Sequence, residues 1–592
     1  MKRFTLFCSF LFLLSCGSSG TKTKSLTSSP PPSEGFPTTP VIEEIGVDVS
    51  AVPKWIGLDQ VNRKYRPQDA VPYVETFGIS AAKNEFEAFQ VVMNGEALGK
   101  QIEAVTLSDL SHQNNHVIPK EQFTVYLEEL YHVPQASNDE GAAGFWPDPL
   151  IPAEDEVFHE KRNIFPLSIA PNETRVLWIE VLVPQDAEAG SYLGTVNLQT
   201  SDGDMSVPIS LHVYNFALPS TSSLKTAFGI GWDAACGAHH GGYNECGGDA
   251  GIEYYNTMYA RFALDHRISL DSFVYGWPRQ GQSWNHFDEL YEPFLKGSNK
   301  TRLPFAKLTS MRSELAAGVQ NIPQELLFRM QHWQEKAWNG TTLFHYTCDE
   351  PPNGCTWQSI QQIAPAVQLS GMQTLVTTGF PQAKANNLTS LIDILVPAIN
   401  WVGTGLPFGE RDDYDDFLSS NPKHELWWYQ SCLSHGCGNG CETSVGEGFT
   451  GYPSYVIDAS ALQARAMEWF TFQQDVGGEL YFSVAEQLSS SWNEGGLCAF
   501  SGSGDGTLLY PGLPSRIGGE RGIPLASMRL KLIREGLEDY EYLNMLKSLG
   551  EEDLAKAFAQ QLFPDVQGVT AVDPNALYEV RNQIARAIEA KL

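Results

Sequence analysis

Hydrophobic and polar positions follow two rhythms along the chain. Between residues 45 and 222, short apolar or alternating runs such as 86–92, 176–183 and 207–213 lie between turn residues, and 189–194 has the composition of a turn feeding a further strand. No long helical pattern interrupts them, which predicts a β-sandwich. Leu218-Pro219-Ser220-Thr221 marks its end.

From Leu224 strand-like runs alternate with helix-length amphipathic segments. Eight strands are predicted, at 226–231, 268–275, 303–308, 342–348, 374–378, 394–399, 425–430 and 478–484, with helices such as 253–265, 323–338, 357–369 and 459–473 between them. That alternation predicts a (β/α)₈ TIM-type barrel over 223–548. A long helix from about Pro524 presents Leu530, Ile533, Leu537, Tyr540, Leu543 and Leu546 at three- and four-residue intervals. A helical tail, 549–592, has its own helix from about Pro574.

The first residues form no part of this core. Lys2 and Arg3 precede an apolar run too short for a stable bilayer span, and Leu13-Leu14-Ser15-Cys16-Gly17 resembles the lipobox of bacterial lipoproteins. Residues 1–16 are therefore expected to be a signal peptide with lipid attachment at Cys16, ordinary secretion being the alternative. Residues 17–44, rich in Ser, Thr and Pro, read as a flexible tether. The expected site is the cell envelope of a bacterium (outer membrane, cell surface or periplasm), with membrane contact through the lipid anchor alone.

Charge narrows the partners. Thirty-nine Lys and Arg against 70 Asp and Glu give a net charge of -31, which repels nucleic acid and anionic membrane surfaces. Fourteen tryptophans suit either a packed core or sugar stacking. Eight cysteines follow Cys16, at 236, 246, 348, 355, 432, 437, 441 and 498, an even count that favours disulfides in an exported protein. Proximity favours Cys236 with Cys246 and Cys348 with Cys355, while connectivity stays open. Cys236 with His239 and His240, or His435, Cys437 and Cys441, match no standard zinc spacing, so no metal is expected.

The chemistry is expected where Leu343-Phe344-His345-Tyr346-Thr347-Cys348 runs into Asp349-Glu350 and two prolines. On a barrel strand this pair stands at the C-terminal mouth, where two close carboxylates cannot both ionise freely. Adjacent carboxylates approach a sugar from one side. They therefore fit poorly with a retaining scheme whose two carboxylates stand ~5 Å apart across the ring. They fit cleavage in which the sugar's own 2-acetamido oxygen attacks the anomeric carbon. Glu350 would then be the acid/base and Asp349 the partner of the acetamide nitrogen.

The run 529–543, Arg-Leu-Lys-Leu-Ile-Arg-Glu-Gly-Leu-Glu-Asp-Tyr-Glu-Tyr-Leu, resembles the signature of the domain of unknown function 4091, which closes proteins similar to glycoside hydrolase family 123. Residues 504–512, 84–90 and 146–152 match the same pattern. The resemblance implies a β-sandwich followed by a (β/α)₈ barrel. It also implies exo-acting, retaining, substrate-assisted β-N-acetylgalactosaminidase activity by an adjacent Asp-Glu pair, here Asp349 and Glu350, without a cofactor. The Cys-rich stretches 348–355 and 432–441 depart from it. Trp232, Trp277, Trp401, Trp428 and Trp492, at or beyond predicted strand ends, are candidates for stacking on a glycan or for packing. Tyr429 is a candidate acetamide partner, and His345 shares a face with Asp349 by two-residue periodicity or is a core residue. Arg529 and Arg534 suit structural salt bridges. The alternatives are a conventional two-carboxylate glycosidase, with Glu486 as nucleophile, and a non-catalytic glycan-binding lipoprotein. Linkage, aglycone and oligomeric state are left open.

Overall fold

Residues 174–182 read Thr-Arg-Val-Leu-Trp-Ile-Glu-Val-Leu, and every one except Arg175 is buried, because this strand is covered on both faces. It lies within a five-stranded antiparallel sheet ordered Gly144–Pro152, Phe123–Val133, Thr174–Leu182, Phe86–Asn94, Ile56–Gln60. Leu177, Ile179, Phe89 and Val91 share one hydrophobic cluster with Val196, Leu198, Ile209 and Leu211 of a second sheet. That sheet runs Leu167–Ile169, Lys100–Leu107, Gly190–Thr200, Gly203–Ala217, Ile79–Lys83, extended by Leu110–His112 and Val117–Ile118. The opposite face of the first sheet, with Trp178 and Phe86, joins a different cluster that continues into the rest of the chain. This is a computed structural model describing residues 46–273, 276–315, 321–432, 437, 451–499 and 502–592. Among these residues no helix is long and apolar enough to cross a membrane.

The second half forms a nearly closed parallel barrel of seven strands: β1 Lys225–Phe228, β2 Ser310–Arg312, β3 Thr342–Cys348, β4 Gln373–Val376, β5 Ile394–Leu395, β6 Glu425–Trp428 and β7 Gly478–Tyr481, ordered β1-β7-β6-β5-β4-β3-β2. Ala227, Phe344, Leu375, Ile394, Trp427 and Leu480, from β1 and β3 to β7, meet in one interior cluster.

Two predicted strands are corrected here. Residues 268–273, the described part of the segment expected at 268–275, form no ladder. They make a single bridge, Phe228 to Leu270, yet span the gap: Phe228 N–H donates to Ser269 O at 3.0 Å, Asp271 N–H to Phe228 O at 3.1 Å, and Arg312 N–H to Asp271 O at 2.8 Å. Hydroxyls stand in for the missing ladder. Thr226 N–H donates to Thr309 Oγ1 at 2.9 Å, Ser269 N–H to Thr226 Oγ1 at 2.8 Å, and Ser310 Oγ–H to Thr226 O at 2.6 Å. The strand expected at 303–308 begins instead at Ser310, beyond Pro304 and a left-handed Phe305 (φ 64°).

Helices α1 (Ile322–Glu335), α2 (Ala461–Gln473), α3 (Met528–Ser548) and α4 (Pro574–Glu589) complete the frame. Helix α3 starts at Met528, later than predicted, because Pro524 belongs to a strand, Ile523–Ala526, and Ser527 caps the helix by accepting from Leu530 N–H at 3.1 Å. It is not one-faced: all residues from Met528 to Asp539 are buried, including Arg529, Lys531, Arg534, Glu535, Glu538 and Asp539. Each charge meets a partner from elsewhere. Arg529 forms two 2.8 Å bonds to Asp148 and reaches the Tyr455, Gly504 and Thr507 carbonyls. Lys531 and Arg534 reach Glu180 at 2.8 and 2.6 Å, so that against the push of burial the two cations hold its carboxyl well below the usual range. Glu538 accepts from Arg267 and from Phe86 N–H, both at 3.0 Å. Asp539 meets Arg465 at 2.6 Å and Arg581 of α4 at 3.0 Å.

Two predictions follow from this buried charge. Asp148→Asn leaves the Arg529 guanidinium uncompensated and is expected to remove about 3–5 kcal/mol of stability, read as a lower urea midpoint at unchanged m-value. Burial also pushes Glu479 up to about 8 from its ordinary 4.5, against the Tyr455 hydroxyl that donates to it, and burial with Glu479 pushes Glu468 well up. The folded state then keeps a proton that the unfolded chain has lost. This contribution is intact below the unfolded value and disappears as pH rises through about 8. The thermal midpoint should therefore fall between about pH 5 and about pH 8, and Glu479→Gln should flatten that slope.

Candidate active site

Strand β3 delivers Asp349 and Glu350 directly after its last residue, Cys348, at the C-terminal mouth of the parallel barrel. In a regular strand neighbouring side chains point to opposite faces. Two irregularities break that rule here. The β3–β4 register shifts between Tyr346 and Cys348, which brings Cys348 opposite Val376. Glu350 then takes φ 41°, a left-handed conformation that costs a residue with a Cβ roughly 1–2 kcal/mol. Asn353 and Gly354 donate their N–H groups to Glu350 O at 2.7 and 3.3 Å, and the Cys348–Cys355 disulfide closes the turn.

Both carboxyl groups consequently face tyrosines. Asp349, itself exposed, accepts at Oδ1 from the Tyr346 hydroxyl at 2.7 Å and the Thr377 hydroxyl at 3.1 Å. Half-buried Glu350 accepts at Oε1 from the Tyr429 hydroxyl at 2.5 Å, and its N–H donates to Thr377 Oγ1 at 2.7 Å. Tyr429 belongs to the interior cluster and Tyr346 packs against it. Burial, then the Asp349 carboxylate, pushes the Tyr346 phenol well up, so it stays a donor.

The remaining candidates separate by strand parity. On β6, Trp427 and Tyr429 enter the interior cluster, whereas Leu426 and Trp428 face outward. Trp428 is therefore not at the mouth: it is buried against α2, donating from Nε1 to Thr471 Oγ1 at 2.8 Å. His345 likewise alternates with Phe344 and Tyr346. It bonds Thr347 Oγ1 at 3.1 Å, and burial, with Arg329 of α1 nearby, lowers its imidazole to about 4. The bulge after Tyr346 is what separates it from the face of Asp349.

Trp401 is 37% exposed beyond β5, its ring 4.9 Å from that of Phe408, which packs on the interior cluster. Trp232 is half-buried with its ring 5.8 Å from Tyr243. Trp277 sits in an aromatic cluster, 4.7 Å from Phe287 and covered by Arg329, and Trp492 packs on the core between the two antiparallel sheets with Arg516 4.0 Å over its ring. Glu486 is exposed after β7, its N–H bonded to Gly506 O at 2.9 Å.

Sequence reading missed Tyr346 and Thr377, whose position at strand ends beside the pair was the available signal. It also missed Asp271, Arg312 and Glu314 at neighbouring ends. Arg312 Nε lies 3.4 Å from Asp271 and 3.2 Å from Glu314, and burial pushes Asp271 up to about 6.

Cys236–Cys246 and Cys348–Cys355 pair as expected, and Cys432 pairs with Cys437. His239 and His240 bond Tyr259 and Tyr255 at 2.9 and 2.8 Å, and among the described residues no group of three or more His, Cys, Asp or Glu is placed to hold a metal. Cys16, His435 and Cys441 lie outside the described residues.

Residues 59–200 match the model of the glycoside hydrolase 123 N-terminal domain. The matched span lies within the two antiparallel sheets described above and stops short of the strand Gly203–Ala217. A solved family 123 glycoside hydrolase from Clostridium perfringens, studied for glycolipid glycan hydrolysis, aligns over 90% of this chain and 99% of its own, with TM-score 0.63 and 13% identity, and so shares the fold. A β-glucuronidase from Parabacteroides merdae aligns over 77% of this chain and 50% of its own at 9% identity, with a TM-score of 0.23 that carries no argument. No curated protein matches the chain.

The turn yields a sharp test. A Cβ on Gly354 would collide with the Asp349 carbonyl oxygen, which is backbone and cannot swing aside. Gly354→Ala should displace the pair and lower kcat on the order of 10²-fold, while the melting temperature stays near that of the parent.

Proposed function

We propose that the protein is a glycoside hydrolase releasing a terminal β-linked N-acetylhexosamine, N-acetylgalactosamine foremost, with retention and with the substrate's acetamide as nucleophile. The observation carrying this reading is that Asp349 and Glu350, although adjacent, both face the mouth through separate donors, Tyr346 and Thr377 for one and Tyr429 for the other. One-sided carboxylates need a nucleophile from elsewhere, and a 2-acetamido group supplies it. The family 123 domain and the shared fold support glycosidase chemistry. The same reading takes the seven strands plus 268–271 as the eight positions of a (β/α)₈ barrel, and the two antiparallel sheets as a sandwich.

In this mechanism Asp349 accepts the acetamide N–H and sharpens the carbonyl oxygen, which attacks C1. The C1–O bond to the leaving group breaks as Glu350 gives its proton to the departing oxygen. The resulting oxazolinium, its N–H still bonded to Asp349, is opened by water, whose proton returns to Glu350. Tyr429 donates to Glu350 Oε1 and so orients the carboxyl that transfers the proton. Trp401, with an exposed ring beyond β5, is the stacking platform that fits best.

Hydrolysis of 4-nitrophenyl β-N-acetylgalactosaminide tests the proposal. Glu350→Gln and Asp349→Asn are each expected to lose roughly 10²–10⁴-fold in kcat, and a thiazoline mimic of the cyclised intermediate should inhibit. Turnover confined to sugars without the acetamide would overturn it.

A further inference from the structure

We propose that Thr377 is the positioning residue that sets both carboxyl groups, an inference resting on the roles given above to Asp349 and Glu350. Thr377 follows β4 and is 4% exposed. Because Cys348 is opposite Val376, the shifted register places Thr377 opposite Asp349. Its own N–H donates to Cys348 O at 3.3 Å, tying it to the end of β3.

The hydroxyl carries one proton and two lone pairs, and each has an assigned direction. Glu350 N–H, 2.7 Å away, can only donate, so one lone pair is taken. The Asp349 carboxylate, 3.1 Å away, can only accept, so the proton points there. Tyr346 lies 3.2 Å off with its own proton closer to Asp349, at 2.7 Å. One buried hydroxyl therefore holds the backbone of one carboxylate residue and the side chain of the other. It secures the left-handed Glu350, which the chain does not favour by itself. A retaining, substrate-assisted reaction needs the two carboxyl groups fixed relative to each other, one on the acetamide and one on the leaving oxygen. Thr377 touches both residues.

Thr377→Val keeps the branched shape and removes the hydroxyl, while Thr377→Ser keeps the hydroxyl and removes the methyl. With 4-nitrophenyl β-N-acetylgalactosaminide, the valine variant should lose on the order of 10²-fold in kcat with KM within about threefold of the parent. The serine variant should recover to within about fivefold. Loss of packing alone would instead impair the serine variant, which lacks the methyl, and leave the valine variant near the parent. Asp349→Asn and Glu350→Gln run alongside. If those two lose activity while Thr377→Val keeps parental kcat, the Thr377 assignment falls and the pair's roles stand. If those two retain activity, the pair's roles fall and the assignment with them. A crystal structure of Thr377→Val gives the readout independent of turnover: Glu350 should leave its left-handed conformation, and its retention there would overturn the proposal.

Discussion

Charge buried without water must be paired, and that constraint organises this molecule around helix α3. An uncompensated buried ion costs several kcal/mol, so each charge on the helix has to be met by a segment that comes to it. Arg529 draws in Asp148 of the first sheet and the carbonyls of Tyr455, Gly504 and Thr507; Arg534 and Lys531 take Glu180 from the middle of an apolar strand. Glu538 gathers Arg267, which also donates to Asn84 O at 2.8 Å. The tail helix closes the set, with Arg581 on Glu85, Glu87 and Asp539. Two antiparallel sheets, a parallel barrel and a tail are thereby locked by contacts whose loss would each strand a charge.

The mouth of the barrel depends on that rigidity. Tyr346, Thr377 and Tyr429 come from the ends of β3, β4 and β6, and their hydroxyls converge only because the strands hold fixed register. Glu350 adds a backbone conformation that is unfavourable in isolation and is held by the closed turn and by Thr377. Strain persists where the surroundings over-determine it. The polar layer at β1 and β2, where Thr226, Ser269 and Thr309 replace a regular ladder, shows the same economy on the side where pairing is weakest.

Much of this was legible in the sequence, and the misses have physical causes. Alternating runs announced the sheets, and the strand–helix rhythm announced a parallel barrel with the acid pair at a strand end. Strand two was overcalled because Ile268-Ser269-Leu270 has strand composition while its pairing is made by hydroxyls, which no hydrophobic pattern records. Trp428 was left open between stacking and packing although the sequence held the answer: Trp427, Trp428 and Tyr429 are consecutive, so Trp428 and Tyr429 cannot both face the interior. His345 followed the same rule correctly until the bulge after Tyr346 reset the parity, and a one-residue bulge leaves no mark in a hydrophobic pattern. Helix α3 looked one-faced because only its apolar residues were traced along the helix; Arg529 and Arg534 do form the salt bridges expected of them, and the charged residues around them are buried too.

The motifs that carried the family resemblance turn out to be neighbours in space. Glu85 and Glu87 lie in 84–90, Asp148 in 146–152, Gly504 and Thr507 in 504–512, and Arg529 through Asp539 in 529–543; these are the groups that pair around α3. The family model itself covers 59–200, which contains none of the residues of the mouth. Resemblance of this kind therefore reports the frame, since buried ion pairs tolerate little substitution once one partner is fixed. The proposed chemistry rests on a different and smaller set, Asp349, Glu350, Tyr346, Thr377 and Tyr429, whose identities the frame does not dictate. Around them lie the cysteine-closed turns and the Asp271–Arg312–Glu314 group, on loops and strand ends that the ion pairs of α3 do not hold. In the proposed reaction, the choice of sugar would be set at those loops and the reaction type by the pair they surround.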